Sequence, residues 1–344
     1  MTFIRYKRIS DSITLTLIRY IFISDTNNYV QGKLVTLINK RIHKRVLDKK
    51  KRLDSRRPLS ASLVKRLKEQ LCINYTYNSN AIEGNTLTLH ETRLVIQEGI
   101  TIGGRSITEI LEAKNHPKAI NFIEDLVSEK SKISEGNILS LHKLIMSNII
   151  DDAGCYRTTG VTIGGAAFKP PPSSEVKHRM DELLDWLRRN PDEYTPIELT
   201  AVFHHRFVSI HPFIEGNGRT ARLLMNATLM KNGYPFITIV SKNDRPKYQK
   251  SLMETDLGNN APFVNFIARC VEKSLDVYLD ALEEPKILTL SEAARMTSYS
   301  QEYLSLLARK GSLGAHKQGR NWVISKKDLD RYLTSVGKPL SKTK

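Results

Sequence analysis

The sequence predicts a mainly α-helical protein: a helical bundle carrying a small β-hairpin flap, followed by a short C-terminal unit of helix, turn, helix and hairpin. Three observations carry this. From Leu87 to Leu282 apolar residues recur three and four apart through eight successive segments, as in helices with one buried face. Val161–Pro172 instead sets two short apolar runs around Gly164-Gly165 and ends in three prolines, a hairpin pattern with a hard stop. After Glu283-Glu284-Pro285 the segments shorten, and Gly319-Arg320 separates two β-favouring runs.

Taken in order, Leu15–Ile23 and Val30–Ile38 are β-favouring runs around Asp25-Thr26-Asn27-Asn28, which predicts a small hairpin. Lys40–Lys68 is strongly basic and predicted helical after Pro58. Helices are then expected at Leu87–Glu98, Ile107–Leu126, Glu135–Ile149, Glu175–Arg189, Ile197–Ser209, Arg219–Lys231, Arg245–Leu257 and Pro262–Leu282. The tail gives a helix opening at Ser291-Glu292, a turn at Tyr299-Ser300, a helix Gln301–Lys310, strands at Ala315–Lys317 and Trp322–Ile324, and a helix from Lys326 to about Thr334. The domain reading is a basic extension (1–68), a helix region (69–100), a helical core (101–283) and a helix-turn-helix unit with a basic tail (284–344).

Charge is unevenly spread over the 344 residues, whose net value is +17. Residues 1–68 hold 18 Lys and Arg against 4 Asp and Glu; residues 69–285 hold 23 against 28; residues 286–344 hold 12 against 4. The middle is mildly acidic and both ends are basic, which suggests a polyanionic partner. No apolar run approaches the roughly twenty residues of a membrane span. Asp11, Thr14, Thr16 and Arg19 interrupt the core that a signal peptide needs, so a cytoplasmic location is expected. Cys72, Cys155 and Cys270 are odd in number and far apart, which argues against a disulfide framework or zinc site.

The chemistry is concentrated in His211-Pro212-Phe213-Ile214-Glu215-Gly216-Asn217-Gly218-Arg219-Thr220-Ala221-Arg222. Gly216 and Gly218 free the backbone to turn its N–H groups toward an anion. The turn opens a helix, whose N-terminus favours a phosphate. Arg219 and Arg222, three apart, share a helix face and can grip neighbouring phosphates. Glu215 is a hard oxygen donor suited to Mg2+. His211 can take a proton from a hydroxyl near neutral pH. Phe213 is expected to anchor the loop in the core, and His204 and His205 to pack or orient. A second segment, Ser79-Asn80-Ala81-Ile82-Glu83-Gly84, sets a hydroxyl and a carboxylate four apart on a helix ending at Gly84.

The twelve-residue segment resembles the signature HxFx(D/E)GNGRxxR of the Fic family without a gap, and Ser79–Gly84 resembles that family's inhibitory motif, (S/T)xxxE(G/N). The resemblance implies the Fic fold and transfer of AMP from ATP, with Mg2+, to a Tyr, Ser or Thr hydroxyl of a target protein or of the protein itself. It implies His211 as general base, Glu215 as the Mg2+ ligand, and Gly216, Asn217, Gly218, Arg219 and Arg222 as the ATP-phosphate site. Glu83 would pair with Arg222 and hold ATP in an unreactive pose; Ser79 and Gly84 complete that motif. The Thr162-Ile163-Gly164-Gly165 flap would dock the target as an added strand, and Gly154-Cys155-Tyr156-Arg157 also fits the family. Two other readings stand beside transfer: removal of AMP, with Glu83 positioning water, and a transcription regulator in which the core senses nucleotide.

Leu288–Leu333 is similar to excisionase-like winged helix-turn-helix modules. This implies DNA as a partner, with Gln301 and Arg309, and beside them Ser300, Tyr303 and Ser305, facing bases or phosphates. Lys317, Arg320, Lys326 and Lys327 would contact the backbone. A membrane partner is not expected; a homodimer is allowed.

Overall fold

The computed structural model describes residues 36–164, 168–189, 194–282 and 287–337, and the backbone at 29–30 and 33–34. The chain divides into two compact units, one up to Tyr278 and one from Leu279 onward.

In the first unit, Tyr29–Val30 (β1) pairs antiparallel with Lys33–Leu34 (β2). This short ladder closes onto the second predicted run, Val30–Ile38; the first, Leu15–Ile23, lies outside the described residues. Ten helices follow among the described residues. Lys40–Asp54 (α1) was not foreseen, because helix was expected only beyond Pro58. Asn39 caps it, its Oδ1 accepting from the Arg41 and Ile42 amides, and Ile42, Val46 and Leu53 form its buried stripe. Its basic side chains are not all solvated: Arg45 makes a two-point bond to Glu272, and Lys49 reaches Glu272 and Asp276 at 3.0 and 2.7 Å.

Ala61–Ile82 (α2) starts at the Ser60 cap and ends in a Schellman turn. Gly84 stands at φ +106°, its N–H donates to the Ala81 carbonyl, and the Asn85 N–H reaches back to the Asn80 carbonyl at 3.1 Å. Leu89–Gln97 (α3), Ile107–Ser128 (α4) and Glu135–Met146 (α5) each open with a capping box. Ser173–Arg189 (α6), Pro196–Ile210 (α7), Asn217–Lys231 (α8), Ser241–Asp256 (α9) and Ala261–Leu282 (α10) complete the bundle. The eight helices expected from Leu87 to Leu282 are α3 to α10, shifted by a few residues at their ends. α7 and α8 pack on each other, with α4 and α5 against α8. Ile123, Ile138, Leu141, Phe203, Phe207, Phe213, Leu223 and Leu224 meet in their shared core.

The expected hairpin flap is described only in part. Among the described residues, 161–164 and 168–172 form no strand ladder. The second expected run, beginning at Ala166, lies mostly outside the described residues, and Pro170, Pro171 and Pro172 are the stop expected after it. Burial still alternates from Val161 to Gly164, with Thr162 and Gly164 exposed; Gly165 lies outside the described residues.

In the second unit, Ile287–Thr289 (β3) leads through a Thr289–Glu292 capping box into Leu290–Arg295 (α11), then Gln301–Arg309 (α12), Ala315–Gln318 (β4), Asn321–Ser325 (β5) and Lys326–Ser335 (α13). The sheet order is β3-β5-β4, all antiparallel. The predicted helix, turn, helix and hairpin are all present, and β3 adds a strand that the sequence reading left out. Leu288, Ala293, Leu304, Ile324, Leu329 and Leu333 form its core. Among the described residues, no helix is long and apolar enough to cross a membrane.

Candidate active site

The junction between α7 and α8 builds the site. α7 ends at His211, which takes the left-handed conformation (φ 51°, ψ 60°) uncommon for a side chain of this size. Its ring Nδ1 lies 3.2 Å from the Val208 carbonyl. A carbonyl only accepts, so that nitrogen carries the proton and Nε2 keeps its lone pair. Burial, aided by the charge of Arg157, lowers the ring's pKa below the usual histidine value, so the free base dominates at neutral pH.

The loop is braced from inside. Asn217 accepts from the Phe213 N–H at 3.0 Å through Oδ1 and donates to the Phe213 carbonyl at 2.8 Å through Nδ2. Its side chain therefore closes the loop, and its backbone N–H and second Nδ2 hydrogen are left for the phosphate role expected of it. Phe213 is fully buried, as expected, and stacks face to face on His142 with centroids 3.6 Å apart. His142 accepts from the Gly154 N–H at Nδ1 (2.9 Å), so its Nε2–H donates to the Glu215 carbonyl (2.9 Å). Burial lowers its pKa to about 4, which keeps it neutral. Gly216 must be glycine: its φ is +79° and an added Cβ would lie 2.8 Å from Met146 Sδ.

Arg157 joins this loop to the flap. Its Nε donates to the His211 carbonyl at 2.8 Å, while its two terminal nitrogens donate to the Thr159 and Pro171 carbonyls at 2.9 and 2.6 Å. One guanidinium thus ties both ends of the flap to the backbone of the proposed base. His204 bonds Tyr248 and His205 bonds Asp256, each at 2.8 Å, which fits the orienting role expected of both.

α8 starts at Asn217, so its first N–H groups point out of the turn without intrahelical partners. Arg219 and Arg222 follow, each only 1% exposed. Glu83 Oε1 sits 2.7 Å from Arg222 Nη1. Ser79 takes the rest of that guanidinium, with Nε on its hydroxyl at 3.0 Å and Nη2 on its carbonyl at 2.9 Å. Burial by itself would raise the Glu83 carboxyl, but Arg222, then Arg219 and Arg245, hold it below the ordinary range. Gly218 makes room: a Cβ there would lie 2.4 Å from Glu83 Oε1. Arg219 pairs with Glu112 on α4 and stands 3.7 Å from Glu215. Glu215 is the open group, its side chain 54% exposed.

Sequence reasoning missed Glu112, His142 and the Arg157 clamp, as well as Asn85, whose Nδ2 donates to Glu112 at 2.7 Å. Only Glu112 left a signal: it shares a face with Asn115, His116 and Ala119 on a helix whose neighbouring face is apolar.

Residues 132–229 match the Fic/DOC family and residues 287–336 a helix-turn-helix domain. A Fic domain containing signaling protein from Bacteroides thetaiotaomicron is 32% identical, with a TM-score of 0.63 over 70% of this chain and 97% of that one. The chain belongs to the Fic family. Fic-1 (residues 134–508) from C. elegans superposes with a TM-score of 0.64 at 30% identity, over 80% of this Fic protein and 78% of that chain. Among curated relatives, protein adenylyltransferase Fic of Nematostella vectensis is 35% identical over 249 residues, 70% of this chain and 57% of its own length. The Drosophila willistoni protein of the same name is 37% identical over 65% of this chain and 45% of its own. This Fic chain thus spans about half the length of the curated relatives it matches.

Proposed function

We propose that the protein is a protein adenylyltransferase held in an inhibited state by Glu83. The observation that carries this is the conjunction at one helix start: a histidine with a free Nε2, a turn of unpaired N–H groups, and two arginines, the second occupied by a carboxylate from α2. A target hydroxyl placed at Nε2 loses its proton to His211 as its oxygen attacks the α-phosphorus of ATP; the bond to the β-phosphate breaks and pyrophosphate leaves. Turn amides and the helix N-terminus hold the phosphates. Arg219 and Arg222 stabilise charge growing on the leaving group. The names of the curated relatives support this reading.

Among the described residues, no group of three or more His, Cys, Asp or Glu could hold a metal ion. Glu215 nevertheless fits Mg2+, since its carboxylate is exposed and its cationic neighbour is 3.7 Å away. It would hold the ion together with the nucleotide's own phosphate oxygens, where the ion would offset their charge. The proposed partner is a target protein docked on the flap that Arg157 anchors, with Thr162, Ile163 and Gly164 presenting its backbone.

A second activity, DNA binding by the C-terminal unit, is favoured by the helix-turn-helix match and by exposure of Gln301, Arg309, Lys317 and Arg320. Ser300 is better read as the α12 cap, since its hydroxyl accepts from the Tyr303 N–H. Labelling with α-labelled ATP tests the main reading. Glu83→Gly should label protein more strongly than wild type, by at least about tenfold, and adding His211→Ala should abolish labelling. Loss of turnover on Glu83→Gly, with hydrolysis of AMP-modified protein by wild type, would replace transfer with AMP removal.

A further inference from the structure

A buried guanidinium needs a counter-charge, and the two arginines of the signature obtain theirs differently. Arg222 pairs with Glu83, whose side chain is 37% exposed and sits on the turn just past α2. Arg219 pairs with Glu112, whose side chain is 10% exposed in the second turn of α4. The Arg219 Nη1 to Glu112 Oε1 bond is 2.5 Å, against 3.7 Å from Nη2 to Glu215. His116, one turn along α4, cannot supply a counter-charge, since an imidazole is neutral or cationic; burial and the two nearby arginines keep it neutral.

Glu112 is itself oriented. Its second oxygen accepts from Asn85 Nδ2, which also donates to the Glu109 carbonyl at 3.1 Å, while Asn85 Oδ1 accepts from the Leu87 N–H at 2.9 Å. A residue two past Glu83 thus fixes the carboxylate that fixes Arg219.

We propose that Glu112 is a positioning residue for ATP: it holds Arg219 extended toward the terminal phosphates and keeps that guanidinium from folding onto Glu215. Without its charge, the nearest anion to Arg219 is Glu215, and a pair formed there would withdraw both groups from the nucleotide. Asn85 would act through Glu112, more weakly. The inference rests on the adenylyltransferase reading for its kinetics, but nucleotide affinity tests it independently.

The test is made on the full chain in the Glu83→Gly background, so that no sample carries the Glu83 carboxylate on Arg222. Dissociation constants of Mg2+-ATP and of AMP are measured by calorimetry for the parent, Glu112→Gln, Glu112→Asp and Asn85→Ala, alongside melting temperature and the kcat and KM of transfer. AMP lacks the β- and γ-phosphates, so it reports the site without Arg219. Glu112→Gln is expected to weaken ATP by about tenfold, the scale of one charge-assisted contact, while AMP stays within about twofold. Glu112→Asp should recover part of the loss and Asn85→Ala should lose less than Glu112→Gln. Unchanged ATP affinity in Glu112→Gln overturns the proposal. So does equal weakening of ATP and AMP with a fallen melting temperature, which would mark a packing role only. Should Glu112→Gln fail to fold, the ATP-to-AMP ratio in Glu112→Asp and Asn85→Ala decides by the same criterion. A parent that binds ATP yet labels nothing would count against transfer, and the affinity arm would still judge Glu112.

Discussion

The two units handle positive charge in opposite ways. In the first, Arg157, Arg219 and Arg222 are buried and every one is held by named acceptors; in the second, Arg309, Lys317 and Arg320 lie open on the surface. A buried cation is fixed in direction and can be switched only by moving its partner, which suits the proposed nucleotide site and its proposed inhibition. An exposed cation binds a polyanion by displacing counterions, without prior alignment and with strong salt dependence.

The largest expected effect separates the two kinds directly. In the Glu83→Gly background, Arg222→Ala should lower kcat/KM for transfer by about 10²- to 10³-fold, the worth of a preorganised donor at developing charge. Arg320→Ala in the same background should leave it within about twofold. A comparable loss from both would mean that the exposed cations also serve the chemistry.

Next is the gap at Gly218, where a side chain would overlap Glu83. Gly218→Ala in the wild-type chain should expel Glu83 from Arg222 and raise labelling by about tenfold. In Glu83→Gly the obstructed carboxylate is gone and only Arg222 Nη1, at 3.0 Å, remains near an added Cβ, so the same change should no longer raise labelling. The double-mutant cycle therefore carries a coupling of more than about 1 kcal/mol. Equal effects in both backgrounds would place the role of Gly218 with the nucleotide instead.

How much of this was legible follows from distance along the chain. The signature, the Ser79 and Glu83 pair and the tail stand out in the sequence because each is a local spacing: His211 to Arg222 lies on one loop and helix, and Ser79 and Glu83 lie four apart. α1 was hidden because Lys and Arg crowd the positions around Ile42, Val46 and Leu53, so charge masked the period. The site's supports were hidden for another reason. Arg157 meets His211 across 54 positions and Glu112 meets Arg219 across 107, and no periodicity reports a pair that only the packing of α4 on α8 creates. Asn217 differs: spacing puts it in the turn and suggests a phosphate contact, but spacing does not show that its amide also braces Phe213 from both sides.

Acid should separate the units a third way. His142 and His204 are kept neutral in the fold, with pKa values lowered by burial to about 4 and about 3. Once unfolded they bind protons below about 6.5. The unfolded state therefore holds more protons as pH falls, so this stability is complete above 6.5 and is lost downward to about 4 for His142 and about 3 for His204. On the order of 3 kcal/mol is at stake for His142. The histidine of the second unit, His316, is exposed on β4. Circular dichroism melts between pH 7 and 4 should show the first unit losing stability first, and a His142→Gln variant should flatten that slope. Parallel loss in both units would contradict this account.

The smallest effects belong to the open cations. If α12 and the β4–β5 hairpin meet DNA, Lys317 and Arg320 each neutralise about one phosphate, so changing either to alanine should reduce the slope of log K against log salt by about 1. Gln301→Ala should instead alter preference among sequences by about 1–3 kcal/mol at one position and leave the salt slope alone. Fluorescence anisotropy on a pool of duplexes at several salt concentrations distinguishes the two. Lys317 needs a further control, since its ammonium lies 5.9 Å from the Trp322 ring centroid and its removal exposes that ring. Lys317→Arg should restore the slope if charge is what matters. A slope unmoved by either cation would leave the second unit's basic face to a partner other than nucleic acid, and the comparison would then rest on the buried arginines alone.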